Sequence, residues 1–110
     1  MTIQIMNVKR TKPSKPYDFY VDRRTPLGNP FYMRNENDRD EVCEKYENWF
    51  LRVAKDQAFY IYLEEIILAY KEHEKVRLFC NCSPKRCHAE TIKQYIEFYI
   101  ERENDKNSGV

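Results

Sequence analysis

Residues 76–80 form a short apolar segment that lies between two longer stretches with helical periodicity and runs directly into a turn rich in cysteine. The segment reads Val-Arg-Leu-Phe-Cys. A strand that is covered by helices is typically a run of apolar residues of this kind. We therefore expect residues 76–80 to form a central strand with helices packed against it, which is the layer arrangement of an α/β domain.

The remaining hydrophobic patterns supply two more strands and three helices. Ile3 and Ile5 alternate at a period of two and predict a short first strand, and residues 17–22 are the candidate for a second. Apolar side chains at helical spacing predict helices from about residues 37–38, over residues 57–73 and from about residues 87–88. The predicted fold class is α/β, with a small single-layer sheet covered by about three helices in the order β-β-α-α-β-α.

The length and composition predict one globular domain. The chain has 110 residues, of which 42% are hydrophobic and 34% charged, enough for a single modest core. We expect this domain to cover residues 1–103 and the polar residues 104–110 to form a flexible C-terminal tail. The formal net charge of +1 provides no global basic field, which argues against duplex nucleic acid as a partner.

The four cysteines are expected to be reduced. No segment is long and apolar enough to span a bilayer, and the first residues lack the pattern of a signal peptide. A cytoplasmic location is therefore expected, with no membrane partner. In that compartment four cysteines indicate metal ligands, catalytic groups or core residues rather than disulfides.

The turn after the predicted central strand holds most of these cysteines. Cys80, Cys82, Cys87 and His88 could supply the four nitrogen and sulfur ligands of a zinc ion. Adjacent ligands at positions 87 and 88 are awkward for one tetrahedral ion, and the usual spacing of two to four residues is absent. A zinc site is one interpretation of this turn, and two others remain open.

A second interpretation is an anion site at the start of the last helix. Free backbone N–H groups and the helix dipole there would favour a thiolate at Cys87 or a bound phosphate. Ser83, Lys85 and Arg86 could add a hydroxyl and two cations. The third interpretation is structural: small cysteines pack well at strand ends, and the two cations are only solvated.

A second group of candidate ligand-binding residues lies in the loop after the second predicted strand. Arg23 and Arg24 could each make paired hydrogen bonds to a phosphate or carboxylate. Gly28 permits positive φ and a close approach of a ligand to the backbone, and Asn29 offers both a donor and an acceptor. A loop of this composition is otherwise an ordinary turn.

These two segments together resemble a known family. The domain of unknown function 4326 family has segments similar to residues 24–31 and to residues 78–89. Arg23 rather than Arg24 lies at the spacing of the family's arginine. Its members pair an Arg-x-x-Pro-Leu-Gly-Asn-Pro-Phe segment with a Cys-x-Cys-x-Pro-x-x-Cys-His-Gly segment. The chain departs from this pattern at Ala89. The resemblance implies a phage or bacterial source and one site formed by both segments, but it implies no activity.

Three functional hypotheses follow. The first is a binding site or active site for a phosphate-bearing nucleotide or nucleotide-derived ligand, in which Cys87 would be the nucleophile and His88 the acid or base of any reaction. The second is a small zinc-stabilised protein that acts on a host protein or sequesters a host signalling nucleotide, in the host cytoplasm if a phage encodes it. The third is single-stranded nucleic acid binding, favoured by the basic residues 9–15 and disfavoured by the small net charge.

Overall fold

The computed structural model describes residues 1–53, 56–82 and 85–108, without the side chains of residue 51 and of residues 105–108. The strands are β1 (Thr2–Asn7), β2 (Asp18–Tyr20) and β3 (Lys75–Cys80). The helices are α1 (Arg39–Val53), α2 (Gln57–His73) and α3 (Ala89–Ser108), with a turn of 3-10 helix at Glu36–Asp38 before α1. The predicted α/β fold class is confirmed.

The three strands form a parallel sheet in the order β1-β3-β2, so β3 is the central strand as the apolar run predicts. Leu78 of β3 pairs with Ile5 of β1 on one side and with Phe19 of β2 on the other. The second strand is shorter than the predicted residues 17–22. It ends at Tyr20, and Val21 adds one more hydrogen bond from its N–H to the Phe79 carbonyl.

The two faces of the sheet have different neighbours. Val76, Leu78 and Cys80 alternate to one face and are fully buried in a core to which all three helices contribute. Most of the largest buried side chains of that core come from the helices: Tyr46, Phe50, Leu63, Ile66, Ile92 and Ile96. Arg77 and Phe79 alternate to the opposite face. Burial of each large apolar side chain contributes about 1.5–3 kcal/mol, so this one face accounts for most of the hydrophobic stabilisation.

Helix α2 spans the predicted residues 57–73 because both of its ends are capped. The carboxylate of Asp56 accepts a hydrogen bond from the Phe59 N–H at 3.3 Å. At the other end Glu74 adopts a left-handed conformation with φ of 57°, and its N–H donates to the Tyr70 carbonyl. The Glu74 carbonyl then accepts a hydrogen bond from Thr2, which joins the end of this helix to the start of β1.

The other helix boundaries differ slightly from the predicted ones. Residues 36–38 form the 3-10 turn because the side chain of Asn35 accepts a hydrogen bond from the Asn37 N–H at 2.9 Å, so α1 begins at Arg39. Helix α3 begins at Ala89 and continues to Ser108, so residues 104–108 are helical. The flexibility of the predicted tail stays a prediction. Among the described helices none is both long and apolar enough to cross a membrane.

Candidate functional site

A cavity of about 660 Å³ lies where β2 and β3 end, between residues 22–33, the residues that follow β3 and the start of α1. We call residues 23–31 the arginine loop and residues 80–88 the cysteine turn. The carboxyl ends of parallel strands are the usual place for a ligand site in α/β folds. Both segments supply lining side chains, including Arg23, Arg24, Asn29, Phe31, Asn81, Cys82, Arg86, Cys87 and His88.

The arginine loop is held in place by the buried side chain of Leu27 and by backbone hydrogen bonds. Leu27 is fully buried, and its carbonyl accepts a hydrogen bond of 2.7 Å from the buried hydroxyl of Tyr46 on α1. Within the loop the Asn29 side-chain oxygen accepts a hydrogen bond from the Phe31 N–H at 2.8 Å. Asn29 therefore shapes the loop and also lines the cavity.

Gly28 is required because it has no side chain. Its φ is not positive, so the structure does not use the conformational freedom that glycine permits. A Cβ at this position would lie 2.5 Å from the Asp22 carbonyl oxygen and 2.5 Å from the Arg23 Cα. The close approach that glycine permits is therefore to the chain's own backbone, and Gly28 does not line the cavity.

The two arginines of the loop differ in their partners. The Arg24 guanidinium pairs with the buried Asp22 carboxylate at 3.1 Å. Arg23 has no carboxylate partner in the described part of the chain. Its Nε donates to the Asn29 carbonyl at 3.1 Å, and its guanidinium lies 3.9 Å above the ring of Tyr32. Arg23 thus presents a cation to the cavity in a fixed position without a neutralising anion beside it.

His88 connects the cysteine turn directly to the end of β2. Its Nε2 is hydrogen-bonded to the Val21 carbonyl, and its ring packs against Tyr46 with a centroid separation of 4.9 Å. Burial lowers the pKa of His88 below its ordinary value. A carbonyl can only accept, so Nε2 carries the proton of the neutral ring, and Nδ1 faces the Cys87 sulfur at 3.5 Å.

Three thiols of the cysteine turn are joined by hydrogen bonds, but the low-pKa thiol is not the predicted one. Hydrogen bonds with Cys80 and Cys82, together with burial, raise the pKa of Cys87. The Cys82 thiol is only half-buried, and hydrogen bonds from Cys87 and Arg39 lower its pKa to about 6. Cys82 is therefore the thiol of this turn whose thiolate form is favoured, because it is partly exposed and accepts a hydrogen bond from the Arg39 cation. A catalytic role for Cys87 and His88 stays a prediction.

The positions of the sulfur and nitrogen donors show how well the cysteine turn suits a zinc ion. Cys80, Cys82 and Cys87 are close enough to share hydrogen bonds, and the unprotonated Nδ1 of His88 lies 3.5 Å from the Cys87 sulfur. These donors have the chemistry that zinc prefers. In the arrangement described, however, no group of three or more His, Cys, Asp or Glu side chains within residues 1–53, 56–82 and 85–108 could hold a metal ion. A zinc ion bound here would require the thiols to turn toward a common centre.

The cations of the cysteine turn are directed toward α1 rather than gathered around a phosphate. Lys85 pairs with Glu36 at 3.1 Å and does not line the cavity, whereas Arg86 pairs with Asp40 at 2.9 Å and does. The Cys87 N–H, which was expected to be free for an anion, donates to the Glu90 carboxylate at 3.1 Å. Ser83, the remaining predicted ligand of this turn, lies outside the described residues.

Several lining residues could not be recognised from the sequence. Arg39 is the most important of them: its guanidinium donates to the Arg86 carbonyl at 2.9 Å and contacts Glu36 at 2.8 Å. Cys43 on α1 is buried and also lines the cavity. Tyr32, which directly follows the arginine loop, also lines the cavity.

The fold and the cavity define a small α/β domain with a parallel three-stranded sheet and a candidate site at its strand ends. The family model described as Domain of unknown function (DUF4326) matches residues 6–98, and the chain belongs to this family. No curated protein and no solved structure matches the chain.

Proposed function

We propose that the protein binds a phosphate-bearing nucleotide or nucleotide-derived ligand in the cavity between the arginine loop and the cysteine turn. The observation that carries this proposal is that the two segments, about fifty residues apart in sequence, line one cavity to which arginines and aromatic rings both contribute. A cavity of about 660 Å³ lies within the range of typical small-molecule sites, about 300–1,000 Å³.

The cations support a phosphate as one part of the ligand. Four arginines line the cavity, and Asp22 is its only lining carboxylate among the described residues. Arg23 has its guanidinium held by a carbonyl and by Tyr32. A guanidinium that is fixed in this way loses less entropy when it forms two parallel hydrogen bonds to a phosphate. Arg23 is therefore the residue we assign to phosphate binding.

Aromatic and amide side chains support a nucleotide base and sugar as the other part. Phe31 and Tyr32 lie on the same stretch of chain as Arg23 and line the same cavity. An aromatic ring can stack on any base, while the amides of Asn29 and Asn81 can donate and accept hydrogen bonds at its edge or at the sugar. This combination of cations, aromatic rings and amides suits a ligand that has both an anionic group and a flat ring.

The zinc-stabilised interaction protein is the second candidate. The three hydrogen-bonded thiols support it, and the absence of a preformed ligand group among the described residues counts against it. All four cysteines are free, which suits a reducing cytoplasm, the location we propose. Zinc content of protein purified without added metal separates the two candidates: about one equivalent, with loss of folding on chelation, would favour zinc.

Equilibrium binding to the common ribonucleoside 5′-mono- and diphosphates, followed by calorimetry, tests the proposal. Binding of at least one of them is expected, with the parent nucleoside weaker by about tenfold or more because the arginine–phosphate contact is lost. Arg23→Ala should weaken nucleotide binding by a similar factor.

Arg52→Ala is the matched control, because Arg52 is an exposed arginine on α1 that does not line the cavity. It should leave nucleotide binding unchanged. Equal losses in the two variants, or equal affinity for nucleotide and nucleoside, would contradict the assignment of Arg23.

A further inference from the structure

The charges of the chain are unevenly divided along its length. Residues 1–35 contain seven Lys and Arg against two Asp and Glu, whereas residues 36–110 contain twelve Lys and Arg against sixteen Asp and Glu. The formal net charge of +1 therefore conceals a basic part and an acidic part. A local basic surface is sufficient to attract a polyanion, because charges act over roughly 10 Å at moderate ionic strength.

Residues 8–17, which we call the basic segment, contain four of the seven Lys and Arg of residues 1–35. They connect the end of β1 to the start of β2, and these parallel strands lie on either side of β3, so the segment has to cross from one end of the sheet to the other. The Asp18 carboxylate accepts hydrogen bonds from the Ser14 and Lys15 N–H groups at 2.8 and 2.9 Å and pairs with Arg77. Since Arg77 points away from the helices, the segment crosses on the face opposite to them.

Four cations of the basic segment are exposed on this face. None of the four has a carboxylate partner in the part of the chain that the structure describes, in contrast to Lys85, Arg86 and Arg39 on the helix side. The four are Lys9, Arg10, Lys12 and Lys15. They are therefore available to phosphate groups without the cost of breaking an ion pair.

An aromatic side chain with an attached cation lies beside the basic segment. Tyr20 is partly exposed and points to the same face as Phe79, with a centroid separation of 6.4 Å. The Arg24 guanidinium lies 4.1 Å above its ring. Arg24 also lines the cavity, so the basic face and the cavity meet at this residue.

From this geometry we propose that the face of the sheet opposite the helices binds single-stranded nucleic acid. The exposed cations of the basic segment contact successive phosphates, and Tyr20 with Arg24 stacks on a base. A single strand fits better than a duplex because its bases are free to stack, whereas those of a duplex are already stacked on one another. This surface is independent of the proposed nucleotide site and does not require that site to be occupied.

Fluorescence anisotropy with a labelled oligothymidylate, the matching oligouridylate and a duplex of equal length tests the proposal. Both single strands are expected to bind more tightly than the duplex. The logarithm of the binding constant should fall with the logarithm of the salt concentration by about 0.7 for every phosphate contact.

Two variants with equal changes in charge locate the surface. The first removes the cations of the basic segment by Lys9→Gln, Arg10→Gln, Lys12→Gln and Lys15→Gln. The second removes the same number of cations from the helices by Lys45→Gln, Arg52→Gln, Lys93→Gln and Arg102→Gln. The first should weaken binding about tenfold or more and reduce the salt slope by up to about 3, and the second should change neither by much.

Tyr20→Leu tests the stacking contact, with an expected loss of about fivefold or more and an unchanged salt slope. Circular dichroism spectra that match those of the parent protein confirm that each variant is folded. Equal losses in the two charge variants would overturn the proposal, as would duplex binding as tight as that of the single strands. Binding to anionic lipid vesicles or to polyglutamate but not to the oligonucleotides would also overturn it.

Discussion

The pair formed by Asp18 of β2 and Arg77 of β3 should make the stability of the domain depend on acid. Two parallel hydrogen bonds of 2.6 and 2.7 Å join the side chains. The Asp18 side chain is 1% exposed and that of Arg77 is 16% exposed, so solvent screens the pair little. The same carboxylate accepts the N–H groups of Ser14 and Lys15 and so fixes the basic segment to the sheet.

These contacts determine the size and the sign of the pair's contribution to the pH dependence of the folding stability. Burial alone would raise the pKa of Asp18, but the hydrogen bonds from Arg77, Ser14 and Lys15 lower it from 3.8 to about 2. At about 1.4 kcal/mol for each pKa unit, this difference corresponds to about 2.5 kcal/mol of folding stability. Because the pKa is lower in the folded state, the contribution is fully present above the unfolded pKa and is lost as the pH falls from about 4 to 2.

Urea unfolding of the parent protein and of Asp18→Asn between pH 7 and pH 2 measures the effect. At pH 7 the variant should be less stable by about 2.5 kcal/mol, and the difference should shrink toward zero at the acid end. Asp40→Asn is the control, because that exposed carboxylate also pairs with an arginine and should contribute less than about 1 kcal/mol. A difference for Asp18→Asn that stays constant down to pH 2 would refute the reasoning.

Two further substitutions test how the candidate site is held together. Gly28→Ala should lower the free energy of unfolding by about 1–3 kcal/mol in urea titrations, because its Cβ would overlap backbone atoms of Asp22 and Arg23; unchanged stability would contradict the close approach. His88→Phe should cost about 1–3 kcal/mol by leaving the Val21 carbonyl buried without a donor, and His88→Gln, which retains a donor, should cost less. Equal losses in these two variants, compared by thermal denaturation, would show that the hydrogen bond is unimportant.

The central strand and the second helix could be predicted from the sequence because local patterns determine them. The apolar run at residues 76–80 requires burial on both faces, and it lies at the centre of the sheet. Apolar side chains at helical spacing over residues 57–73, preceded by the capping residue Asp56, define α2. The resemblance to the family likewise rested on local motifs and is confirmed by the match over residues 6–98.

The chemistry of the site could not be predicted because it depends on how distant segments pack. Cys87 lies near a helix start, where a lowered pKa is expected, but it is buried against two other thiols and its pKa is raised. Arg39 gave no signal in the sequence, since its contacts with Arg86 and Cys82 exist only when α1 packs beside the cysteine turn. Lys85 was assigned to a ligand but pairs with Glu36 on the neighbouring element.

The central claim is that the arginine loop and the cysteine turn form one nucleotide site, and amide chemical-shift mapping tests it most directly. The probe is whichever ribonucleotide binds most tightly in calorimetry. The account predicts that amides of residues 23–31 and of residues 81, 82 and 85–88 shift together and saturate with one dissociation constant, while those of α2 do not. Shifts confined to one of the two segments, or two different dissociation constants for them, would contradict the claim.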